Sequence, residues 1–372
     1  MGLRKLRSVY RSFRVDGFRG HHSAEFAEFG VVNVLTGLND AGKTSILEAL
    51  FLHSSGPLAG AFAVQALRPG RRQDEIAVTP AGIDDPWAPL FHNFNVDGEI
   101  KLDATTSRGP QTVALTQDKG TDGQVAIGSK PITDNQQPRT SINVSVKTEK
   151  TLLPEQFRQS MIFHSSSTGT ATNISLEFRL DPPQGEALWK AAIVKPGVLG
   201  ADLAAVYSEM RKRSAGNALL EAIQKIDDRI SHIEVLSENG RSQLHAEVNG
   251  QLIPFELLGD GPNAVAQYLV SMWAARDGVL LIDEVGSGVH YSVLETMWSS
   301  IYRAAKRMNV QVFATSHSQE ALVAAHRVIN DRQDALAVYR MRRSPSSEAS
   351  TRVTRYAGAT LASAIEANAE LR

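Results

Sequence analysis

The segment VVNVLTGLNDAGKTSILEALFLH occupies residues 31–53 and decides the fold. Its first seven residues form an apolar, β-branched run that ends in glycine, which predicts a buried parallel strand. From Thr44 onward, apolar residues recur at helical spacing. Between these two parts, GLNDAGKT fits the pattern GxxxxGK[ST]. A strand, a glycine loop and a helix in this order predict an α/β fold that carries a phosphate-binding loop.

The residue types of this loop suit a nucleoside triphosphate. Two glycines let backbone N–H groups wrap the phosphates at a helix N-terminus. Lys43 would reach the outer phosphates, and the Thr44 hydroxyl would bind Mg²⁺. An ordinary glycine turn is the alternative, and the flanking strand and helix argue against it. The loop therefore predicts ATP and Mg²⁺ as cofactors, held by Gly37, Asn39, Asp40, Ala41, Gly42, Lys43, Thr44 and Ser45.

Two further apolar runs end in polar residues. LLIDE ends in Asp283 and Glu284, and FATSHS contains His317. Ligands bind at the carboxyl ends of strands in open α/β sheets, so these side chains are expected beside the phosphates. Asp283 would hold Mg²⁺, Glu284 would polarise the attacking water, and a neutral His317 would contact the γ-phosphate or the water. The alternatives are a solvated strand end for the acids and a structural histidine. The predicted catalytic residues are Glu284, His317 and Lys43, and the predicted metal ligands are Thr44 and Asp283.

LLGDGPNAV, residues 257–265, precedes the two acids and opens a helix. A Gly-x-Gly turn at a helix N-terminus can bind an anion, although a simple turn gives the same pattern. The segment is a second predicted nucleotide contact, made by Gly259, Asp260, Gly261 and Asn263.

Composition narrows the class of protein. The chain has 372 residues, 42% hydrophobic residues, a formal net charge of -1 and no cysteine. Disulfides, thiol catalysis and thiolate metal sites are therefore excluded. The N-terminus lacks the apolar core of a secretory signal, and no apolar run approaches the roughly 20 residues of a membrane helix. A soluble, cytoplasmic protein without a membrane partner is expected.

The pattern along the chain predicts one core interrupted by an insertion. Alternating runs separated by turn residues predict strands over residues 98–180, and residues 201–230 read as helical. In ALLEAIQKIDDRI a helical stripe is expected at Leu219, Ile223, Ile226 and Ile230. The stretch 335–343 is expected to be the final strand. The predicted division is a core of residues 1–60 and 215–372 and a β-rich and helical lobe of residues 61–214.

The order GLNDAGKT, LLGDGPN, LLIDEVGSGVH and FATSHS resembles the ABC-type ATPase heads of the SMC, RecF and OLD-like superfamily. The resemblance implies a mainly parallel core sheet, an antiparallel β subdomain and an inserted β and helical lobe. It also implies that LLGDG is a signature motif that completes the site of a second copy. Gly288 and His290 would lie at the dimer contact, and Phe18 and Arg19 of GFRG would lie near the base or ribose.

The sequence looks most like compact ATPases of bacterial defence modules, such as PARIS- and Septu-like systems and orphan relatives of OLD nucleases. That resemblance implies an ATP-hydrolysing switch that dimerises around ATP and controls a separate effector, such as a nuclease, in anti-phage defence. A RecF-like DNA-repair or DNA-binding ATPase is the alternative, and a non-hydrolysing nucleotide-binding scaffold is a third hypothesis. Two long heptad arms are absent, and the 55 residues after His317 are too few for a nuclease domain.

The sequence alone leaves three assignments open: the Q-loop residue, the role of PWAPLFHNF and the role of the basic clusters. Gln65 and Gln73 are poor candidates for a Q-loop residue. PWAPLFHNF, with Trp87, Phe91 and His92, is better explained by packing than by a lobe contact. The basic clusters read more as solvated surface than as a DNA groove; they lie at residues 68–72, 211–213 and 340–343.

Overall fold

A computed structural model describes residues 8–55, 78–79, 82–83, 87–117, 139–151, 154–168, 171–181, 183, 186–196, 203–238, 241–329, 335–343, 350–367 and 369. Within these residues the strands are β1 Tyr10–Phe18, β2 His21–Ala27, β3 Val32–Gly37, β4 Val78–Thr79, β5 Gly82–Ile83, β6 Glu99–Thr106, β7 Gly109–Gln117, β8 Arg139–Thr148, β9 Glu155–Thr168, β10 Ala171–Asp181, β11 Ala191–Val194, β12 Ile230–Glu238, β13 Arg241–Val248, β14 Gln251–Pro254, β15 Val279–Ile282, β16 Gln311–Thr315, β17 Leu336–Arg342 and β18 Arg352–Ala357. The α-helices described are α1 Lys43–Ser55, α2 Leu203–Lys212, α3 Gly216–Gln224, α4 Asp260–Ala274, α5 Leu294–Met308, α6 Gln319–Val328 and α7 Gly358–Glu366.

A mainly parallel sheet positions the phosphate loop. Its strand order is β11-β15-β16-β3-β17-β18, and only β18 pairs antiparallel among these described strands. Every residue of β3, β15 and β16 is buried, as expected for strands covered on both faces. The register pairs Ile282 with Ala314 and Thr315 with Leu35, so the carboxyl ends of these three strands lie side by side.

A second, antiparallel sheet covers the other side of the phosphate-loop helix. Its order is β10-β9-β8-β7-β6-β1-β2. Helix α1 contacts β1 of this sheet and β3, β11, β15 and β16 of the parallel sheet. Ten of its 13 residues are buried, because a helix held between two sheets buries most of its circumference. The loop at its N-terminus is therefore attached to a rigid element.

The remaining helices pack on the opposite face of the parallel sheet. There α4 contacts α2, α3 and α5, and α5 contacts α6. Trp298 and Met297 of α5 are fully buried in this core. The small sheet β12-β13-β14 adjoins it through α2 and α3. The mixed α/β class, with one mainly parallel and one antiparallel sheet, is thus confirmed.

Both large sheets combine strands from the predicted core and from the predicted lobe. The domain boundaries at residues 60/61 and 214/215 stay a prediction. Strands β6 to β10, from the expected lobe, continue the sheet that β1 and β2 begin, and β11 joins the parallel sheet. Two local expectations are wrong. Ile230 begins strand β12 instead of continuing the helical stripe, and β18 follows the strand expected to be last. The alternating run at residues 124–129 lies outside the described residues.

No helix in the described part of the chain is long and apolar enough to cross a membrane.

Candidate active site

The phosphate loop leaves β3 in a backbone shape that only glycine adopts readily. Gly37 has φ 138° and Gly42 has φ 81°, both in the left-handed half of conformational space. A Cβ added at Gly37 would collide with the carbonyl oxygen of Met341, and one added at Gly42 would collide with the His21 ring. The loop is thus held between β17 on one side and β2 on the other.

Lys43 is the first residue of α1, and its side-chain ammonium group lies inside the phosphate loop. Its Nζ donates to the carbonyl oxygens of Gly37 at 2.8 Å and Leu38 at 2.7 Å. Burial lowers its pKa, and the neighbouring carboxylates of Asp283, Glu284 and Asp40 oppose that shift. The ammonium group therefore sits among acceptors where phosphate oxygens fit. Of the other predicted loop residues, Asn39 and Asp40 are exposed, while Ala41 and Ser45 are buried.

Thr44 and Asp283 meet across 239 residues of sequence. The Thr44 hydroxyl lies 3.0 Å from both carboxylate oxygens of Asp283. A hydroxyl and a carboxylate that converge in this way form the hard oxygen donor set that Mg²⁺ prefers. The described residues contain no group of three or more His, Asp or Glu side chains that could hold a metal by themselves. Such a site would need further oxygen ligands, which phosphates supply.

Thr315, at the end of β16, was missed by sequence reasoning and connects the two acids. Its hydroxyl donates to Asp283 Oδ1 at 2.7 Å and accepts from the backbone N–H of Glu284 at 2.7 Å. Its carbonyl oxygen accepts from Val285 N–H at 2.9 Å. Thr315 is 1% exposed, so these bonds are shielded from water. An apolar strand that ends in threonine beside a histidine was the available signal.

Glu284 has an exposed side chain on a left-handed backbone. Its φ is 51°, which costs a residue other than glycine about 1–3 kcal/mol. The two hydrogen bonds to Thr315 keep the chain in this shape. The next residue, Val285, returns to the core at 2% exposure, so only the carboxylate turns outward.

His317 follows β16 and lies beside the same charges. Burial is the main cause that lowers its pKa, and repulsion from Lys43 lowers it further. The carboxylates of Glu284 and Asp283 oppose the shift without cancelling it. The direction of this shift favours the neutral imidazole, which is the form expected from the sequence. The structure thus brings Lys43, Thr44, Asp283, Glu284 and His317 to one edge of the sheet, and their roles stay predictions.

The predicted signature segment lies at the N-terminus of α4. Gly259 is its N-cap, and Asp260 begins the helix. Hydrogen bonds hold Asn263 within the helix, from its N–H to Gly259 O at 3.3 Å and from Gln267 to its side chain at 3.1 Å. A Cβ added at Gly288 would come within 3.0 Å of the Asp260 carboxylate. The segment therefore adjoins the loop that follows the two acids.

The predicted signature segment and the loop after the two acids are partly exposed to solvent. Gly259 and Asp260 are exposed, whereas Gly261 and Asn263 are partly buried. His290 is exposed and bonds Ser292 at 2.8 Å. The exposed part of the helix N-terminus is thus formed by Gly259 and Asp260.

The position near the base or ribose expected for Phe18 and Arg19 stays a prediction, and both side chains are buried. Phe18 is 0% exposed, so its ring offers no surface to a base. Arg19 is also buried, and its Nε lies 2.8 Å from Glu48 Oε2. Glu48 Oε1 accepts from Lys195 Nζ at 2.6 Å. These three charges link the end of β1, the middle of α1 and the residue that follows β11.

Other sequence expectations have mixed outcomes. Trp87 and Phe91 are buried in the core that surrounds α1, which confirms packing as their role. His92 Nδ1 bonds the carbonyl oxygen of Arg19 at 2.9 Å. Gln65, Gln73 and the basic cluster at residues 68–72 lie outside the described residues. Lys195 and His21 were missed, and His21 bonds Gly42 O of the phosphate loop at 3.0 Å.

The phosphate loop and the five clustered side chains at the sheet edge define the site of a P-loop ATPase. Residues 32–324 match the family AAA_21, described as "AAA domain, putative AbiEii toxin, Type IV TA system". The chain belongs to this family. It is 23% identical over 341 residues to the "ATP/GTP phosphatase" of Helicobacter pylori (strain ATCC 700392 / 26695), across 88% of this chain and 90% of that protein. The predicted ATP hydrolase class is confirmed.

Solved structures of SMC heads are similar to the chain. An SMC head bound to the C-winged helix domain of ScpA has a TM-score of 0.45 and 12% identity, over 94% of this chain and 98% of that one. The SMC head domain from Thermotoga maritima has a TM-score of 0.41 and 12% identity, over 93% of this chain and 98% of that one.

Proposed function

We propose that the chain is an ATP-driven switch in which two copies close around ATP and hydrolysis separates them. One observation carries the hydrolytic part of this proposal. Thr44 and Thr315 share the carboxylate of Asp283, and the Thr315 hydroxyl also holds the N–H of Glu284. Metal ligand and candidate base are thereby fixed in one hydrogen-bonded unit. Phosphoryl transfer depends mainly on such positioning.

Each side chain at the site has a distinct part in hydrolysis. Lys43 exchanges the carbonyl oxygens of Gly37 and Leu38 for phosphate oxygens. Thr44 and Asp283 would hold Mg²⁺, which would neutralise charge that develops on the phosphates. The exposed carboxylate of Glu284 orients water for attack. Neutral His317 hydrogen-bonds the γ-phosphate or that water.

A second copy would complete the site with its residues 259–263. The N-terminus of α4 presents backbone N–H groups and a positive helix end, which suit a phosphate. Three large apolar side chains on the adjoining loops are strongly exposed: Leu38 at 69%, Leu257 at 75% and Tyr291 at 71%. Apolar surface beside such a polar edge supports association between protein chains. Gly288 and His290 lie in the same contact.

The switch would control a separate effector in anti-phage defence. The description of the family names a toxin and a toxin–antitoxin system, which supports action together with a second component. The motif order, which resembles that of compact ATPases in defence modules, supports the same assignment. The effector would be a protein such as a nuclease.

The variant Glu284→Gln tests the switch. It keeps the shape of the side chain and removes its charge, so phosphate release should fall by about a hundredfold or more. ATP binding should persist, and size-exclusion chromatography with light scattering should show an ATP-dependent dimer. Lys43→Ala is the control, because it should lose both ATP binding and the dimer. Unchanged turnover in Glu284→Gln would exclude the role given to this carboxylate.

Duplex DNA distinguishes the RecF-like alternative. ATP-dependent binding to DNA that weakens steeply with salt would favour a DNA-binding ATPase. An ATP-dependent dimer without such binding would favour the effector switch.

A further inference from the structure

A wide groove lies between α3, α4 and α5, at the edge of the parallel sheet opposite the phosphate loop. Its volume is about 1070 Å³. Trp273 and Asp277, which precede β15, line it, together with Met308 and Asn309, which precede β16. The catalytic side chains follow the other ends of the same strands. The groove is therefore separate from the ATP site.

Small side chains on the facing helices keep the groove open. Ala218 and Ala222 of α3 line one wall, and Ser299 and Ser300 of α5 line the other. The partly exposed side chain of Trp273 lines the groove between these walls, and the buried side chains of Leu219 and Leu269 form its floor. An α-helix about 10 Å in diameter that filled this volume would be about 14 Å long, or about nine residues. The volume of the groove thus equals that of a short helix.

Positive charge is concentrated around this groove. Six basic side chains line it, against three acidic ones, although the whole chain carries a formal net charge of -1. Two of the acids have partners: Glu295 pairs with Arg327 at 2.9 Å, and Asp277 accepts from Asn309 at 2.9 Å. The basic residues are Arg213, Lys225, Arg276, Arg303, Lys306 and Arg307. An acidic ligand complements this rim.

The combination of an apolar interior and a basic rim favours a protein over DNA. An amphipathic helix binds a groove through apolar residues spaced i, i+3, i+4 and i+7. Acidic residues on its flanks would face Arg303 and Arg307, which are exposed one helical turn apart on α5. A DNA backbone offers no apolar group for the partly exposed ring of Trp273.

Two helices connect the groove to the ATP site. Helix α4 begins at Asp260 of the signature segment and ends beside the groove at Ala274. Helix α5 begins after the loop that carries Gly288 and ends at Met308. Each has 15 residues, a length of about 22 Å. A shift at the dimer contact would therefore reach the groove through rigid elements.

We propose that this groove binds an acidic amphipathic helix of the separate effector protein. The identity of the ligand as an effector rests on the switch function proposed above. The binding surface itself rests on the shape and charge of the groove.

Fluorescence anisotropy with labelled peptides tests the surface. The probes are helical peptides of about 18 residues, with leucines on one face in different registers and glutamates on the other. Comparison peptides carry lysine in place of glutamate, or the leucines scrambled. We expect only the acidic amphipathic probes to bind. Arg303→Glu/Arg307→Glu should weaken that binding roughly tenfold or more.

Two further variants separate charge from shape. Ala222→Trp fills the groove without a change of charge, and it should also weaken binding roughly tenfold. Lys147→Glu/Lys150→Glu reverses two exposed charges, one on β8 and one in the turn after it, and binding should change less than about twofold. Equal binding by all variants, or equal binding of the scrambled peptide, would overturn the proposal. Stronger competition by duplex DNA than by the peptides would assign the groove to DNA. Loss of a dimer in Arg303→Glu/Arg307→Glu would assign the groove to a second copy of the chain.

The ATPase assays keep the two proposals distinct. The groove variants should turn over ATP at the normal rate, because none of the changed residues contacts the ATP site. If Glu284→Gln forms the ATP-dependent dimer and no probe binds, only the groove proposal fails. If a probe binds as expected and no dimer forms, the groove stands and the switch fails.

Discussion

Replacing Glu48 by glutamine measures how far a buried ion triad stabilises the phosphate-loop helix. The Glu48 carboxylate is 0% exposed, and its oxygens lie 2.8 Å from Arg19 Nε and 2.6 Å from Lys195 Nζ. Glutamine keeps the size of the side chain and removes the charge that both cations contact. The variant therefore isolates the electrostatic contribution from the packing of α1.

The expected loss is large because water cannot replace the missing charge. The side chains of Arg19 and Lys195 are only 5% and 6% exposed. Removing one partner of a buried ion pair costs about 3–5 kcal/mol, and folded domains are stable by only about 5–15 kcal/mol. Glu295→Gln is the matched control, since Glu295 and Arg327 are 47% and 67% exposed. Breaking that surface pair should cost less than about 1 kcal/mol.

Urea denaturation followed by circular dichroism measures both free energies of unfolding. Glu48→Gln should be less stable than the parent by about 3–5 kcal/mol. Glu48→Gln/Lys195→Met should lose less than the single variant, because one of the two buried cations is gone. Equal midpoints for Glu48→Gln and Glu295→Gln would refute the reasoning, as would a double variant less stable than the single one.

Two predictions concern the ATP site. Thr315→Val removes the hydroxyl that bonds Asp283 and Glu284, so kcat should fall about ten- to a hundredfold in a phosphate-release assay, with KM little changed and partial recovery in Thr315→Ser; a normal kcat would contradict this. The pKa of His317 lies below its ordinary value of 6.5. The neutral ring therefore contributes fully to the stability of the folded protein above pH 6.5. This contribution is lost as the pH falls through the lower pKa that His317 has in the folded state. The value of kcat/KM for ATP, which reports the free enzyme, should fall only below pH 6.5, and a midpoint above 6.5 in that profile would exclude this.

Hydrophobic runs predicted the centre of the fold because each run carries its own signal. Residues 31–37, 279–284 and 310–316 are apolar, end in polar residues and alternate with helical patterns. Parallel strands in one sheet bring such ends together, so the clustering of Lys43, Asp283 and His317 followed from local patterns.

Buried polar partners were beyond the reach of those patterns. Glu48 lies in an apolar helix and meets Lys195, 147 residues away. Thr315 belongs to an apolar strand, and only the fold shows that its hydroxyl faces Asp283. The burial of the Phe18 ring was missed for the same reason, since the packing of two sheets around α1 covers it. Pairings between distant polar groups depend on the tertiary structure.

The strained backbone at Glu284 explains why Thr315 matters beyond its bond to Asp283. The chain must return Val285 to the core and still expose the preceding carboxylate, and a φ of 51° achieves both. Such a conformation costs about 1–3 kcal/mol and persists only where neighbouring bonds enforce it. The Glu284 N–H bonds the Thr315 hydroxyl, and the Val285 N–H bonds the Thr315 carbonyl. One residue on the strand between Lys43 and Asp283 thus directs the carboxylate toward the surface where ATP and a second copy would meet.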